Sequence, residues 1–352
     1  MTEADVEMLR ALQRRARLAR QIGELGPVGG SGGAGAAASE RDLLGMIEQA
    51  VGDDLAPEVV RAFLRQAHAA TSSLERQARV AFVAPEGGFC QVAAQKHFGL
   101  GATLVLAETT ELALDEVRRQ RADYAVFPFE STLEGPMQSS VEALSATELS
   151  LTAKIELLPS LCLMSKSGNA ADVQKLYAHA SDRLASQKLI ASLPHATLVD
   201  VRSPVAACQA CKDDPEGAAI VARETGEELG LVPVQAGVSD RPDLRVRYAL
   251  VSGRPTYRSG DDTTAVIFGV SDEPGALFDV LKHFAERGIN LKSIQSRPMP
   301  SLRSLPIVGE SWNYLFYLEI SGHVTDRAVV TALEEVKRQT RLLKVLGSFP
   351  SC

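Results

Sequence analysis

Asp240 to Ser252 reads D-R-P-D-L-R-V-R-Y-A-L-V-S, a turn-rich opening that runs into alternation and then into an apolar run. Asp240, Pro242 and Asp243 favour a turn, and Tyr248 to Val251 read as a strand entering a core. Arg245 and Arg247 are two apart, so on a strand both project from one face. Two guanidiniums on one side of such a strand need an anion or water.

Upstream of this stretch, short apolar runs alternate with helical patterns. Val80 to Ala84 is a strand, P-E-G-G-F-C is a glycine turn, and Val92, Ala93, Ala94 and Phe98 mark a helix. Strand, glycine turn and helix start form an anion-binding arrangement, because backbone N–H groups point out of a helix N-terminus. Leu104 to Leu106 is a second strand, Leu112 to Val117 a helix, and Tyr124 to Phe127 a third strand ending at Pro128. F-E-S-T-L-E-G leads into a helix around Ser139 to Leu144. Strands follow at 155–158, 161–164, 176–179, 197–201, 218–222 and 231–234, with helices over 204–212 and 225–229. Repeated β-then-α units predict an α/β domain over 79–257. The chain leaves its first half near 158 and returns near 235, which predicts two lobes with a cleft between them.

Downstream, the order βαββαβ over 262–350 predicts a ferredoxin-like α+β unit. Its helix P-G-A-L-F-D-V-L-K-H-F-A-E-R-G carries Leu277, Val280, Leu281 and Phe284 on one face and ends at Gly288. The first 78 residues predict an all-α head. A helix from about Asp5 to Leu25 has a basic face of Arg10, Arg14, Arg15, Arg17 and Arg20. A glycine-rich linker and two more helices, opening at Ser39 and Pro57, follow. Three such helices cannot bury both faces alone, which predicts pairing with a second copy.

With 352 residues and 45% apolar content, two or three domains with real cores are expected. A net charge of −7 gives no nucleic-acid footprint. No apolar run approaches 18 residues and no secretory leader pattern opens the chain, so a cytoplasmic protein without membrane association is expected. Five scattered cysteines argue against a disulfide framework. Cys208 and Cys211 form a C-x-x-C inside an Ala-rich helical run, with no second pair and no nearby His. They read as small buried helix residues, and no metal or cofactor is expected.

Three motifs fall in order across the middle domain: A-P-E-G-G-F-C at 84–90, A-D-Y-A-V-F-P-F-E-S-T-L-E-G at 122–135 and D-R-P-D-L-R-V-R-Y at 240–248. They resemble prephenate dehydratase. G-A-L-F at 275–278, G-I-N-L at 288–291 and Q-S-R-P at 295–298 resemble the ACT domain of bifunctional chorismate mutase–prephenate dehydratases. R-R-A-R-L-A-R-Q-I-G-E-L at 14–25 and E-R-D-L-L at 40–44 resemble their all-helical mutase head.

The resemblance implies a two-lobed fold with prephenate in the cleft, conversion to phenylpyruvate, and phenylalanine as effector at Gly275, Ala276, Leu277, Asn290, Ser296 and Arg297. It implies substrate binding by Glu86, Gly87, Gly88, Phe89, Cys90, Thr132 and Gly135, and catalytic positions at Glu130, Ser131, Val246 and Arg247. Arg247 is expected to clamp a substrate carboxylate in the cleft; Arg245 has no assigned role. Val246 stands where the family keeps a threonine usually assigned to proton donation, so Glu130 or Ser131 is left as an acid. Cys90 is either a thiol activated at a helix start or a buried serine replacement.

His179 alone survives of the family's S-H-P-Q-A-L-A-Q-C and reads as structural. In the head, Arg15 and Glu40 match two functional positions and most other mutase cations are missing, which implies a dimerisation head with the mutase chemistry lost. Two further readings stay open: decarboxylation of prephenate without aromatisation, and a catalytically degenerate phenylalanine-binding regulator. A homodimer or homotetramer is expected.

Overall fold

The computed structural model describes residues 78–99, 101–270, 273–298, 314–340 and 342–351, with scattered helical positions between 6 and 17. The mutase-like positions Arg15 and Glu40 lie outside the described residues, as does most of the predicted all-α head.

The first lobe is built on a mixed sheet. Its strands are β1 (Arg79–Val83), β2 (Thr103–Ala107), β3 (Tyr124–Ser131), the two-residue β4 (Gly135–Pro136), β5 (Ser150–Leu157) and β11 (Val246–Ser252), in the order β2-β1-β3-β11-β5 with β4 on β3. Helices α1 (Phe89–Phe98), α2 (Thr110–Arg118) and α3 (Gln138–Ser145) cover it. β1, β2 and β3 run parallel, joined by right-length helical crossovers; β11 inserts antiparallel between β3 and β5.

The second lobe has strands β6 (Leu161–Ser165), β7 (Lys175–His179), β8 (Thr197–Val201), β9 (Gly217–Ala222) and β10 (Val232–Ala236), ordered β10-β6-β9-β7-β8. Its helices are α4 (Ala180–Leu184), α5 (Gln187–Ser192), α6 (Pro204–Asp213) and α7 (Arg223–Glu228). Cys208 and Cys211 are buried on the inner side of α6 against β6 and β9. Burial pushes the Cys208 thiol up to about 12, in line with their reading as packed residues.

The C-terminal unit has strands β12 (Asp262–Val270), β13 (Leu291–Pro298), β14 (Tyr314–Ser321) and β15 (Leu342–Pro350), all antiparallel and ordered β13-β14-β12-β15. α8 (Ala276–Ala285) and α9 (Arg327–Gln339) cover one face through Val280, Phe284, Val329, Leu333 and Val336. The other face, with Ala265, Ile267, Leu315, Tyr317, Leu346 and Phe349, shares one core with Phe127, Phe129, Leu151, Ala249 and Val251 of the first lobe.

Two local expectations are corrected. β3 does not stop at Pro128 but continues to Ser131. Pairing with β1 ends at Val126, and the β11 register shifts opposite Pro128, so the missing N–H breaks no regular ladder. The return to the first lobe comes at Val246 rather than near 235, because β10 pairs with β6 inside the second lobe. Asp240 sits in that second lobe, its carboxylate accepting from the amides of Gln187 and Lys188 at the start of α5. The stretch from Asp240 to Val246 is therefore the bridge between lobes.

Candidate active site

The glycine turn after β1 forms one wall of the interlobe seam. Gly87 has φ +77, and a Cβ there would meet Thr225 at 2.8 Å and Val205 at 2.9 Å across the seam. Only glycine gives both the left-handed backbone and this close approach. The Gly87 carbonyl accepts the Thr225 hydroxyl at 2.8 Å, and the Glu86 carbonyl accepts the Val205 amide at 3.4 Å. Within the turn, the Gly87 amide donates to Gln91 Oε1 and the Gly88 amide to the Pro85 carbonyl. The first-turn amides of Phe89 and Cys90 are of the kind a helix cannot satisfy internally. A cavity of about 140 Å³ opens at this seam, lined by Phe89, Val92, Leu158, Ser160, Arg223 and Glu224 among others.

Val246 is 8% exposed and lies on the same face of the sheet, packed in one cluster with Cys90, Leu157, Ala222 and Tyr248. Desolvation pushes the Cys90 thiol up to about 12. The Cys90 side chain is buried among these apolar neighbours. Ser131 pairs in register with Val246, which places their side chains on one face of the sheet. The Ser131 hydroxyl accepts the Glu134 amide at 3.2 Å, and the Thr132 hydroxyl accepts the Arg245 amide at 3.2 Å. These bonds fix the turn that ends in Gly135.

Arg247 lies elsewhere. Its Nε donates to Glu156 at 3.0 Å and its Nη1 to Glu130 at 3.4 Å. Arg245 Nη1 takes the other Glu156 oxygen at 2.8 Å. The anion required by the two arginines is thus Glu156, two strand positions beyond Lys154 in the neighbouring strand. Hydrogen bonds from Arg245 and then Arg247 hold the Glu156 carboxyl below its usual range. Glu130 in turn accepts from Lys154 at 2.9 Å, and Lys154 reaches Glu319 of the C-terminal unit. These charges occupy the face that meets the C-terminal unit, not the Val246 face. Arg247, expected as a carboxylate clamp in the cleft, is turned away from Val246 by alternation along β11 and is paired here with Glu156 and Glu130.

Three comparisons with known proteins agree with this architecture. The prephenate dehydratase family model matches residues 80–256 and the ACT domain model residues 264–338. The chain belongs to the prephenate dehydratase family. A bifunctional chorismate mutase/prephenate dehydratase of Aquifex aeolicus is 30% identical over 309 residues, spanning 88% of this chain and 83% of that protein. A prephenate dehydratase of Mycolicibacterium gilvum is 32% identical over 77% of this chain and 91% of its own length. Among solved structures, prephenate dehydratase from Arthrobacter aurescens in complex with L-Phe superposes with a TM-score of 0.64 at 29% identity, covering 78% of this chain and 90% of that one.

In this prephenate dehydratase family member, the remaining predicted residues fall on the ACT domain. Gly275, at φ +90, caps α8, with Ala276 and Leu277 in its first turn. Asn290 is exposed just before β13, and its carbonyl accepts the Ser321 amide at 2.9 Å. Ser296 is exposed on β13, opposite Phe316, and Arg297 pairs there with Leu315. His179 caps α4 through Ser181, a structural role. Lys154, Glu156, Thr225, Tyr317 and Glu319 were missed from sequence. In the K-I-E of 154–156, Glu156 supplies the negative charge that the R-V-R of 245–247 lacks, a signal present in the sequence. No group of His, Cys, Asp and Glu that could hold a metal occurs among the described residues. Nor is any described helix long and apolar enough to cross a membrane.

Proposed function

We propose that this protein converts prephenate to phenylpyruvate with loss of CO₂ and water, under control by L-phenylalanine at the ACT domain. The observation that carries this reading is the return of β11 into the first lobe, which sets Val246 beside Ser131 across from the Gly87–Cys90 turn. Prephenate carries two carboxylates and a C4 hydroxyl. The α1 N-terminus offers the Phe89 and Cys90 amides to one carboxylate. Aromatisation expels CO₂ together with hydroxide, a poor leaving group that needs a proton. Val246 has none to give. Ser131 is the candidate donor: its oxygen accepts the Glu134 amide, which leaves its own proton to donate. Glu130 is the weaker candidate, since its carboxylate is held by Lys154 and Arg247. A homodimer or homotetramer in the cytoplasm completes the proposal.

Incubation with prephenate tests it, with phenylpyruvate absorbance and ring-proton NMR followed together. Aromatic product is expected. Ser131→Ala should lower kcat by about 10²-fold, the lower end of the effect of a placed general acid; a rate within twofold of the parent would remove Ser131 from the role. The apolar packing around Val246 favours one second reading, decarboxylation that keeps the hydroxyl. A non-aromatic hydroxylated keto acid as product would establish it. Unchanged prephenate would leave only a phenylalanine-binding regulator.

A further inference from the structure

Lys154 is the most deeply buried charge in the seam between the first lobe and the ACT domain. Its side chain is 3% exposed. The ammonium reaches Glu130 on β3 and Glu319 on β14, and it sits 4.9 Å from the Phe129 ring centroid, 5.7 Å from Tyr317 and 5.8 Å from Phe349. An unpaired ammonium in such a place is costly, so its two carboxylates are required rather than incidental. Tyr317 donates its hydroxyl to Glu319 as well. Glu130 spends its second oxygen on Arg247, which is shared with Glu156. Six charges, Glu130, Glu156 and Glu319 against Lys154, Arg245 and Arg247, form one continuous chain from an ACT strand to the end of β3.

Both ends of that chain matter for function. On the ACT side, Glu319 and Tyr317 pair in register with Ser293 and Gln295 of β13, the strand that carries Ser296 and Arg297. On the catalytic side, Glu130 immediately precedes Ser131 and the 132–135 turn. A second contact reaches the same turn. Gln295 Nε2 donates to the Glu134 carbonyl at 3.5 Å, and a Cβ on Gly135 would lie 1.9 Å from that nitrogen. A shift of β13 or β14 on effector binding therefore meets the 130–135 segment at two points, one charged and one steric.

We propose that Lys154 is a positioning residue. It fixes the Glu130 carboxylate, and with it the Ser131–Gly135 turn, and it is the charged one of the two contacts through which ligand binding at the ACT domain reaches the interlobe cleft. The proposal rests on the reading of that domain as an amino-acid sensor; it does not require turnover. Without Lys154, Glu130 can pair only with Arg247, and the state of β14 no longer reaches it.

The full-length protein and its Lys154→Met variant decide the matter, with Lys154→Arg as the charge-keeping control. Phenylalanine affinity is measured by calorimetry, and hydrogen exchange of residues 128–137 is followed with and without phenylalanine. In the parent protein, phenylalanine should change exchange in this segment by about tenfold or more, the size of a typical coupling between sites. Lys154→Met should bind phenylalanine within about threefold of the parent yet lose most of that change, the Gln295 contact alone remaining, and Lys154→Arg should restore part of it. Turnover gives a parallel readout: phenylalanine should inhibit the parent and Lys154→Met far less. A merely structural Lys154 would lower the melting temperature and leave the response to phenylalanine intact, which overturns the proposal. Phenylalanine that does not bind the parent at all also overturns it. Absence of turnover in the parent would sink the dehydratase reading alone, since the exchange measurement stands without it.

Discussion

On one face of β11, Val246, Tyr248 and Leu250 pack against Cys90, Val92 and Ala222. On the other, Arg247 lies among Glu130, Glu156 and, one residue further out, Lys154 and Glu319. The apolar face looks toward the helix start and the second lobe, where the substrate is proposed to bind. The charged face looks toward the regulatory domain. A strand at the centre of a sheet separates these environments by a single residue step. The difference teaches that adjacent residues of one motif can serve opposite faces of a sheet. Here the arginines tie the sheet to its own carboxylates and, through them, to the neighbouring domain, while the face proposed for substrate carries Val246, which has no hydroxyl.

The sharpest way to break this contrast is Lys154→Ala. It leaves Glu130 and Glu319 facing each other at a buried seam, and a loss of about 3–5 kcal/mol is expected, as for removal of one partner of a buried pair. Urea denaturation measures it; a loss below about 1 kcal/mol would mean that the carboxylates find water or other partners. A comparable effect is expected on the apolar face. The Cys90 thiol is pushed from 9.0 to about 12 by burial, so at pH 8 it carries about a thousandfold less thiolate than an exposed cysteine. Alkylation at Cys90 in the folded protein should be slower by that order, read by mass spectrometry. Because the folded value is raised, burial of the thiol stabilises fully below pH 9 and that contribution is lost as pH rises toward 12. Fast labelling at pH 8 would make Cys90 a reactive group.

Val246→Thr tests whether the cleft face lacks only a hydroxyl. Turnover should rise by at least about tenfold, toward the ~10²–10⁴-fold that a placed acid supplies. The buried hydroxyl should cost about 1–2 kcal/mol where it lacks a partner. A folded variant with no gain in rate would place the proton source elsewhere. The smallest effect belongs to Arg245→Ala. Its side chain is 58% exposed, so stability should change by less than about 1 kcal/mol. Its mark should be on the acid side. Arg245, and after it Arg247, depress the Glu156 carboxyl below 4.5, so that pairing stabilises above about pH 4.5 and is lost as pH falls through the folded value. Arg245→Ala should move acid unfolding to slightly higher pH; an unchanged midpoint would leave Arg247 alone responsible.

Much of this was legible along the chain. The alternation of strand and helix, the glycine turn before α1, the βαββαβ tail and the buried character of Cys208 and Cys211 are short-range signals, carried by residues near one another in sequence. Misreadings fell where partners are remote. Pro128 looks like a strand stop in sequence, which does not reveal that β1 pairing ends at Val126. β10 looks like the return to the first lobe, because its apolar pattern does not say which sheet it joins. The short helices α4 and α5 escaped because five or six residues give too little periodicity.

By itself, then, the sequence determined that Arg245 and Arg247 share a face and need an anion, that three ordered motifs belong to one family, and that no hydroxyl stands at position 246. Periodicity and side-chain chemistry suffice for such statements. Only the tertiary structure decided which anion answers the arginines and which side of the sheet they face. Glu156 and Lys154 lie on β5 and Glu130 on β3, Glu156 being 91 and Glu130 117 residues from Arg247 along the chain, and Glu319 belongs to another domain. Electrostatic partnership depends on distance in space, and no local pattern in the chain records it.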